Sequence, residues 1–287
     1  LVADDAGRTL LGKPTPCVGR EREIAMLLGL FDEVCGEPVA RAALVTAAAG
    51  TGKSRLAREV VARVRARAEV EVWIGRGDPM RAGSPFGMIA PSLRRAAGIL
   101  DGESIEARRD KLRAAVAARV ARADVARVSE FLGELIGAPF DEAGSVQLAA
   151  ARGDAMLMGD QIRRAFEDLL EAECEAHPVL IVLEDLHWGD LPTVTLLHGA
   201  LRRLAERPLM VLALARPEVN DLFPKLWADR DQLLVHLGPL ARKAGERLVK
   251  SALGEATPPE LATRLWERAG RNAFYLEELI RAVAAGK

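Results

Sequence analysis

Apolar residues along the chain fall into short unbroken runs, separated by longer segments of mixed polarity. Three of these runs, Ala42–Val45, Val179–Leu183 and Leu209–Ala215, contain no polar residue. Such runs are typical of parallel strands that are buried on both faces of a sheet. Two less regular segments, Glu69–Ile74 and Leu233–Leu237, predict a second and a fifth strand.

The segments between the strands have the polarity pattern of amphipathic helices. One helix is expected to end near Cys35, another to span about residues 53–68, and a third about 190–206. The long interval before the third strand contains an Ala- and Arg-rich stretch of good helix formers, which predicts a helical insertion at about residues 91–150. Strands that alternate with helices predict an α/β fold, with helices on both faces of a parallel sheet.

The predicted elements divide the chain into three segments. Residues 1–16 are polar and contain glycine and prolines, which is typical of an inter-domain linker. Residues 17–240 contain all five predicted strands and form the core. Residues 241–287 are helical, with breaks near 254–259 and 270–272, and we expect them to form a small lid. The chain lacks an initiating Met, so we expect it to be part of a longer protein.

A glycine-containing loop, A-A-A-G-T-G-K-S at residues 47–54, follows the first predicted strand. Between a strand and a helix this is the P-loop pattern, in which Gly50 and Gly52 allow backbone N–H groups to surround phosphate oxygens. Lys53 reaches the β- and γ-phosphates, and the Ser54 hydroxyl is a ligand for Mg²⁺. A turn without a ligand is the alternative. We therefore expect ATP or ADP, with Mg²⁺, to contact Ala49, Gly50, Thr51, Gly52, Lys53, Ser54 and Arg55.

Two adjacent carboxylates, Glu184 and Asp185, end the third predicted strand. Ligands of open α/β sheets bind beyond the carboxyl ends of the strands, so both side chains are expected near the phosphates. One carboxylate can hold the Mg²⁺ shell while the other polarises the attacking water. We assign Glu184 to the metal and Asp185 to the water, and the reverse assignment stays open.

Composition and charge argue against several other classes of function. The formal net charge of −1 gives no overall attraction to nucleic acid or anionic lipid. No apolar run approaches the ~18 residues of a membrane span. The three cysteines, Cys17, Cys35 and Cys174, lie far apart and lack metal-type spacing, as in proteins of a reducing cytoplasm. The insertion is basic, but its basic residues are not interleaved with the aromatic residues that base stacking requires. We expect a cytoplasmic protein with neither a nucleic-acid nor a membrane partner.

Six short motifs carry a resemblance to a known family. They are C-V-G-R-E-R-E at 17–23, A-A-A-G-T-G-K-S-R-L at 47–56, V-L-E-D-L-H-W-G-D at 182–190, A-R-P-E at 215–218, L-G-P-L at 237–240 and G-R-N-A-F-Y-L-E-E-L at 270–279. In this order they resemble the AAA-type ATPase module of the STAND class, the signal-transduction ATPases with numerous domains. The likeness is to modules of large bacterial regulators that also carry protein kinase, nucleotide cyclase, DNA-binding or helical-repeat domains.

The resemblance implies a P-loop NTPase fold whose five-stranded parallel sheet has the order 5-1-4-3-2. It also implies that Val18, Gly19 and Arg20 approach the nucleotide from the N-terminal side. Arg216, at the end of the fourth strand, corresponds to a sensor position near the γ-phosphate, where a guanidinium can stabilise the transferring phosphoryl group. Pro239 corresponds to a contact between the lid and the base.

Three positions within these motifs differ from the residues that are common in the family. Ala47 replaces the usual first glycine of the loop, Glu184 stands where aspartate is common, and Ala273 stands where proline is frequent. None of these departures removes a chemical group that binding needs, although Glu184 bears on Mg²⁺ geometry and hydrolysis rate. His187 and Trp188 look like family markers rather than catalytic residues.

The leading functional hypothesis is a regulatory ATPase switch. Mg-ATP binds in the crevice, the lid closes, and other domains of the parent chain respond. No motif places a second arginine to act in trans, so we expect slow hydrolysis by the isolated chain. A nucleotide-dependent homo-oligomer is a further hypothesis for the active state.

Three alternatives belong to other classes. A nucleotide-gated scaffold would hold ATP or ADP with negligible turnover. An origin-recognition-like DNA-binding ATPase would need a basic DNA-binding element, which the net charge and the lack of a winged-helix region do not support. A metabolite kinase is disfavoured by the sensor arginine and the C-terminal lid helices.

Overall fold

Seven strands and twelve α-helices make up the structure, a computed structural model that describes residues 9–286. The strands are β1 (Thr9–Leu10), β2 (Lys13–Pro14), β3 (Arg41–Thr46), β4 (Glu71–Arg76), β5 (Val179–Glu184), β6 (Leu209–Ala215) and β7 (Gln232–His236). The helices are α1 (Glu21–Gly36), α2 (Lys53–Arg65), α3 (Ile89–Ala96), α4 (Ile105–Ala117), α5 (Val125–Ile136), α6 (Val146–Arg152), α7 (Ala155–Ala176), α8 (Leu191–Arg203), α9 (Val219–Leu222), α10 (Arg242–Leu253), α11 (Pro259–Arg268) and α12 (Ala273–Ala284).

The five core strands form one parallel sheet in the order β4-β5-β6-β3-β7. Counted from β3 onward and read from the β7 edge, this order is 5-1-4-3-2. The predicted α/β class, with a five-stranded parallel sheet between helices, is confirmed. The short antiparallel hairpin β1–β2 is a detail that the sequence analysis did not predict.

The central strands are apolar throughout because both faces of the sheet are covered. On β5, Val179, Ile181 and Leu183 pack into a core with helices α3 to α8. Leu180 and Val182 point the other way, into a second core with α1 and α2. Each face therefore needs its own apolar set, which explains the unbroken runs that predicted these strands.

The region between β4 and β5 is helical, as the sequence analysis expected for residues 91–150. Its Ala- and Arg-rich stretch forms two helices. The first, α4, ends at Ala117, and the second, α5, begins at Val125. The longer helix α7 then returns the chain to β5. No described helix has both the length and the apolar character needed to cross a bilayer.

The C-terminal helices α10, α11 and α12 have a core of their own, which includes Leu248, Leu265 and Leu276. Leu10 of the hairpin β1–β2 packs into the same core and is 2% exposed. Residues 9–16, which the sequence analysis assigned to a linker, thus include a hairpin that contacts the lid. The rest of the predicted linker, residues 1–8, lies outside the described residues.

Candidate functional site

The loop between β3 and α2 has the backbone geometry that phosphate binding requires. Gly50 and Gly52 have φ angles of +76° and +98°, a region that other residue types rarely adopt. Gly52 is also the N-cap of α2, so the loop leads directly to a helix N-terminus. Within residues 9–286, the N–H groups of Ala49, Gly50 and Gly52 donate no hydrogen bond. The loop therefore presents backbone donors, together with the positive end of a helix dipole.

Lys53 supplies a cation that burial has removed from water. Its ammonium donates to the carbonyl oxygens of Ala47 and Ala48 at 2.8 and 3.1 Å, and the residue is 8% exposed. Burial lowers the pKa of Lys53 and Arg216 acts in the same direction, whereas Asp185 opposes both effects. A bound polyphosphate would compensate for the lost hydration, so the environment of Lys53 fits a nucleotide.

The two strand-end carboxylates have different surroundings. Glu184 is 4% exposed, and the guanidinium of Arg76 donates to its Oε2 from Nε at 3.0 Å and lies 2.8 Å from it through Nη2. Arg76 ends β4 directly opposite Glu184 in the sheet register. Asp185 has a left-handed φ of +54° and affects the pKa of Lys53. Arg76 was not among the predicted site residues, although its position at the end of the second strand was a signal.

The guanidinium of Arg216 lies over the ring of Trp188. Its guanidinium carbon is 5.1 Å from the centre of the Trp188 ring, and its backbone N–H donates to Nδ1 of His187 at 3.3 Å. The His187 ring packs against Trp188 in a tilted arrangement, with 4.5 Å between the ring centroids and 41° between the ring planes. Burial lowers the pKa of His187. Because Nδ1 accepts the Arg216 N–H, the proton of the neutral ring belongs on Nε2. That buried Nε2 has no partner within the described residues.

An open cleft of about 420 Å³ adjoins Asp185. Asp185 and Trp188 form part of its wall, together with Arg76, Asp78 and Asp190. Asp190 is committed to structure, since its carboxylate accepts hydrogen bonds from the N–H groups of Phe86 and Thr193 at 2.9 and 2.8 Å. Asp185 is half-buried at the edge of the cleft, so water can reach it from this side.

Arg20, in the motif at residues 17–23, donates a hydrogen bond to the phosphate-binding loop. Its guanidinium donates to the carbonyl oxygens of Thr51 at 3.1 Å and Gly238 at 2.7 Å, and the residue is buried. Val18 packs against the core of the lid. Gly19 approaches α10 so closely that a Cβ atom would lie 2.4 Å from the Cβ of Ala244. These three residues thus contact the loop and the lid, and their approach to the nucleotide stays a prediction.

The other predicted residues lie around the same loop. Ser54 is partly exposed at the second position of α2. Arg55 is directed toward Glu59, at 4.0 Å, rather than along the loop. Pro239 is exposed where the chain passes from β7 to the lid. No cluster of three or more His, Cys, Asp or Glu side chains suited to a metal occurs in the described residues.

One lid residue that was not among the predicted site residues touches the loop directly. The side-chain amide of Asn272 donates to the carbonyl oxygen of Ala49 at 2.9 Å, and the N–H of Phe274 donates to that of Gly50 at 3.0 Å. Asn272 is also the N-cap of α12. An asparagine before a helical segment predicts a helix cap, but the sequence does not predict that its side chain contacts a distant loop.

Comparisons with known proteins agree with this geometry. A family model described as the AAA ATPase domain matches residues 16–212, a range that contains the loop and both carboxylates. An uncharacterized protein from Rhizobium meliloti (strain 1021) is 26% identical over 275 residues. That match covers 94% of this chain and 25% of the relative, so the chain spans about a quarter of the relative's length.

Solved structures with the same fold include two archaeal proteins. The Aeropyrum pernix ORC1 protein in complex with DNA has a TM-score of 0.55 and 15% identity, over 93% of this chain and 60% of that chain. Cdc6p from Pyrobaculum aerophilum has a TM-score of 0.51 and 11% identity, over 90% of this chain and 56% of that chain. At these identities the likeness extends to the fold alone. The family match covers more than half of the chain, which therefore belongs to the AAA ATPase domain family of P-loop ATPases.

Proposed function

We propose that this chain is the nucleotide-binding and slowly hydrolysing switch module of a multidomain signalling protein of the STAND class. The observation that supports this most is the direct contact between the lid and the phosphate-binding loop, from Asn272 to Ala49. A lid that contacts the loop itself can respond to what the loop binds. Such a response is what a switch requires, and simple nucleotide storage does not need it.

The proposed reaction is the transfer of the γ-phosphoryl group of ATP to water, which yields ADP and phosphate. Lys53 holds the β- and γ-phosphates, while Asp185 orients the attacking water that enters from the cleft and accepts its proton. Arg216 leaves the Trp188 ring and neutralises the charge that develops on the transferring group. Mg²⁺, held by Ser54 and Glu184, would supply further neutralisation of the phosphate charge.

A scaffold without turnover is the second candidate, and one observation favours it. Two of the groups assigned to hydrolysis are engaged elsewhere, since Glu184 pairs with Arg76 and Arg216 stacks on Trp188. If binding of ATP left both contacts in place, the nucleotide would be held but not cleaved.

A single-turnover experiment separates the two candidates. Trace labelled ATP is mixed with excess protein and Mg²⁺, and the formation of ADP is followed over hours. The switch predicts slow conversion by the parent and none by Asp185→Asn. Asp101→Asn, which changes an exposed carboxylate in the insertion, serves as the matched control and should convert ATP at the parent rate. Tight retention of uncleaved ATP by the parent would reject the switch in favour of the scaffold.

The partners that we propose are the nucleotide, the other domains of a longer parent chain and further copies of this chain in the active state. We also propose a cytoplasmic location, because all three cysteines are free. DNA binding is not part of the proposal, because the formal net charge is −1. Binding of this chain to DNA that weakens steeply with salt would revive the origin-recognition alternative.

A further inference from the structure

Two groups of the lid donate hydrogen bonds to consecutive carbonyl oxygens of the phosphate-binding loop. Nδ2 of Asn272 donates to the Ala49 carbonyl at 2.9 Å, and the Phe274 N–H donates to the Gly50 carbonyl at 3.0 Å. The Oδ1 atom of Asn272 accepts from the N–H groups of Phe274 and Tyr275 at 3.0 and 3.3 Å, which caps α12. One side chain thus joins the start of a lid helix to the loop.

These contacts fix the direction of two peptide groups. In a planar trans peptide the carbonyl of one residue and the N–H of the next point to opposite sides of the chain. The carbonyl groups of Ala49 and Gly50 point toward the lid, because they accept hydrogen bonds from it. The N–H groups of Gly50 and Thr51 therefore point away from the lid. Like the N–H groups of Ala49 and Gly52, that of Gly50 donates no hydrogen bond within residues 9–286. The lid and a phosphate would therefore bind opposite sides of the same peptides.

The contact is close because Gly50 has no side chain. A Cβ atom on Gly50 would lie 2.4 Å from Oδ1 of Asn272, well inside contact distance, and its φ of +76° is strained for other residues. The amide of Asn272 therefore rests directly on the loop backbone. A rotation of either peptide would break its hydrogen bond to the lid.

We propose that Asn272 is a positioning residue for phosphate binding, which orients the Gly50 and Thr51 N–H groups from the lid side. The inference rests on the proposed function, because it assumes that the loop binds a nucleotide. Asn272 acts through the loop and does not touch the reacting atoms. Coupling between two binding events is reciprocal, so a nucleotide strengthens the docking of the lid by the factor by which the lid strengthens nucleotide binding.

Asn272→Ser is the informative substitution because it separates the two tasks of the side chain. Serine caps helices about as well as asparagine and carries no charge that could repel a phosphate. It lacks the amide that reaches Ala49. Asp154→Ala is the control for a weakened helix cap, since Asp154 caps α7 through the N–H groups of Met156 and Leu157 and lies outside the loop and the lid. It removes a cap of the same kind without touching the loop.

Two measurements test the proposal. The first is calorimetric titration of each protein with ADP and Mg²⁺. The second is amide hydrogen exchange at Phe274, measured without nucleotide. We expect Asn272→Ser to weaken ADP binding by about two- to tenfold, the range for loss of one neutral hydrogen bond, and to speed exchange at Phe274. Asp154→Ala should match the parent in both measurements.

The outcomes distinguish this proposal from the proposed function. Parent-like ADP affinity in Asn272→Ser overturns the positioning role, whether or not exchange at Phe274 changes. Weaker binding with unchanged exchange also overturns it, because the effect would then not pass through the lid contact. Failure of the parent itself to bind ADP or ATP would reject the proposed function, and the parent titration alone would reveal this.

Discussion

The guanidinium of Arg216 stacks on the indole ring of Trp188, with 5.1 Å between the guanidinium carbon and the ring centre. A cation in this position interacts with an aromatic face by roughly 0.5–2 kcal/mol, depending on its exposure to water. The backbone of Arg216 is tied to His187 at the same time. The segment E-D-L-H-W at residues 184–188 therefore contacts the predicted sensor arginine and also contains both carboxylates.

Binding of a γ-phosphate should draw Arg216 away from Trp188, because a phosphate attracts a guanidinium more strongly than a ring face does. We expect the Trp188 contribution to fluorescence, taken as parent minus Trp188→Phe, to change with a non-hydrolysable ATP analogue and not with ADP. Arg216→Ala should abolish the difference between the two nucleotides. Equal responses to both nucleotides in the parent would show that Arg216 does not sense the γ-phosphate.

Removal of the Lys53 ammonium should weaken nucleotide binding. Loss of one charged hydrogen-bonding group corresponds to roughly 1.5–3 kcal/mol, or about ten- to a hundredfold in affinity. Equilibrium binding of labelled ATP to Lys53→Ala measures this effect. Lys243→Ala, which removes an exposed lysine of α10, is the control for net charge and should bind like the parent. Tight binding by Lys53→Ala would contradict the P-loop assignment.

The two strand-end carboxylates should separate binding from turnover. Asp185→Asn should keep nucleotide affinity and lose hydrolysis, and asparagine tolerates the left-handed φ of +54° at this position. Glu184→Gln should weaken the dependence of binding on Mg²⁺. Titrations with Mg²⁺ and single-turnover hydrolysis of both variants provide the test. Normal hydrolysis by Asp185→Asn together with a loss in Glu184→Gln would mean that the two roles are reversed.

Arg76 should stabilise the ligand-free state through Glu184. Removal of Arg76 leaves a buried carboxylate without its cation, and loss of such a charged hydrogen bond corresponds to about 1.5–3 kcal/mol in the free energy of unfolding. The half-exposed position of Arg76 reduces this effect through solvent screening. Thermal unfolding in the presence of EDTA should therefore give a lower Tm for Arg76→Ala than for the parent. The control Arg122→Ala, which removes an exposed arginine, should leave the Tm unchanged. An unchanged Tm for Arg76→Ala would show that the pair contributes nothing.

Much of the core could be predicted from the sequence because its signals are local. The run Leu209–Ala215 is buried on both faces, so its composition predicts both its length and its place in the sheet. The P-loop is equally local, since two glycines and the following lysine carry its geometry. Glu184 and Asp185 were predictable because they directly follow an apolar strand.

The missed features depend on contacts between distant segments. Asn272 and Ala49 are 223 positions apart, and their contact depends on how the lid packs on the core. The pairing of Arg76 with Glu184 depends on the register of two strands that the insertion separates by 108 positions. The motif that contains Asn272 and the strand-end position of Arg76 could be read from the sequence, but their partners could not, so only the folded arrangement reveals both contacts.

We propose that the isolated chain is a slow ATPase switch that lacks a cation supplied in trans. Arginine fingers contribute on the order of 10³–10⁵ in rate, so a monomer without one should turn over far below the ~10 s⁻¹ typical of enzymes. Steady-state phosphate release at rising protein concentration, with molecular mass followed in parallel, measures this directly. We expect very slow release by the monomer. Fast, concentration-independent release by a monomer would contradict it and indicate a self-sufficient enzyme.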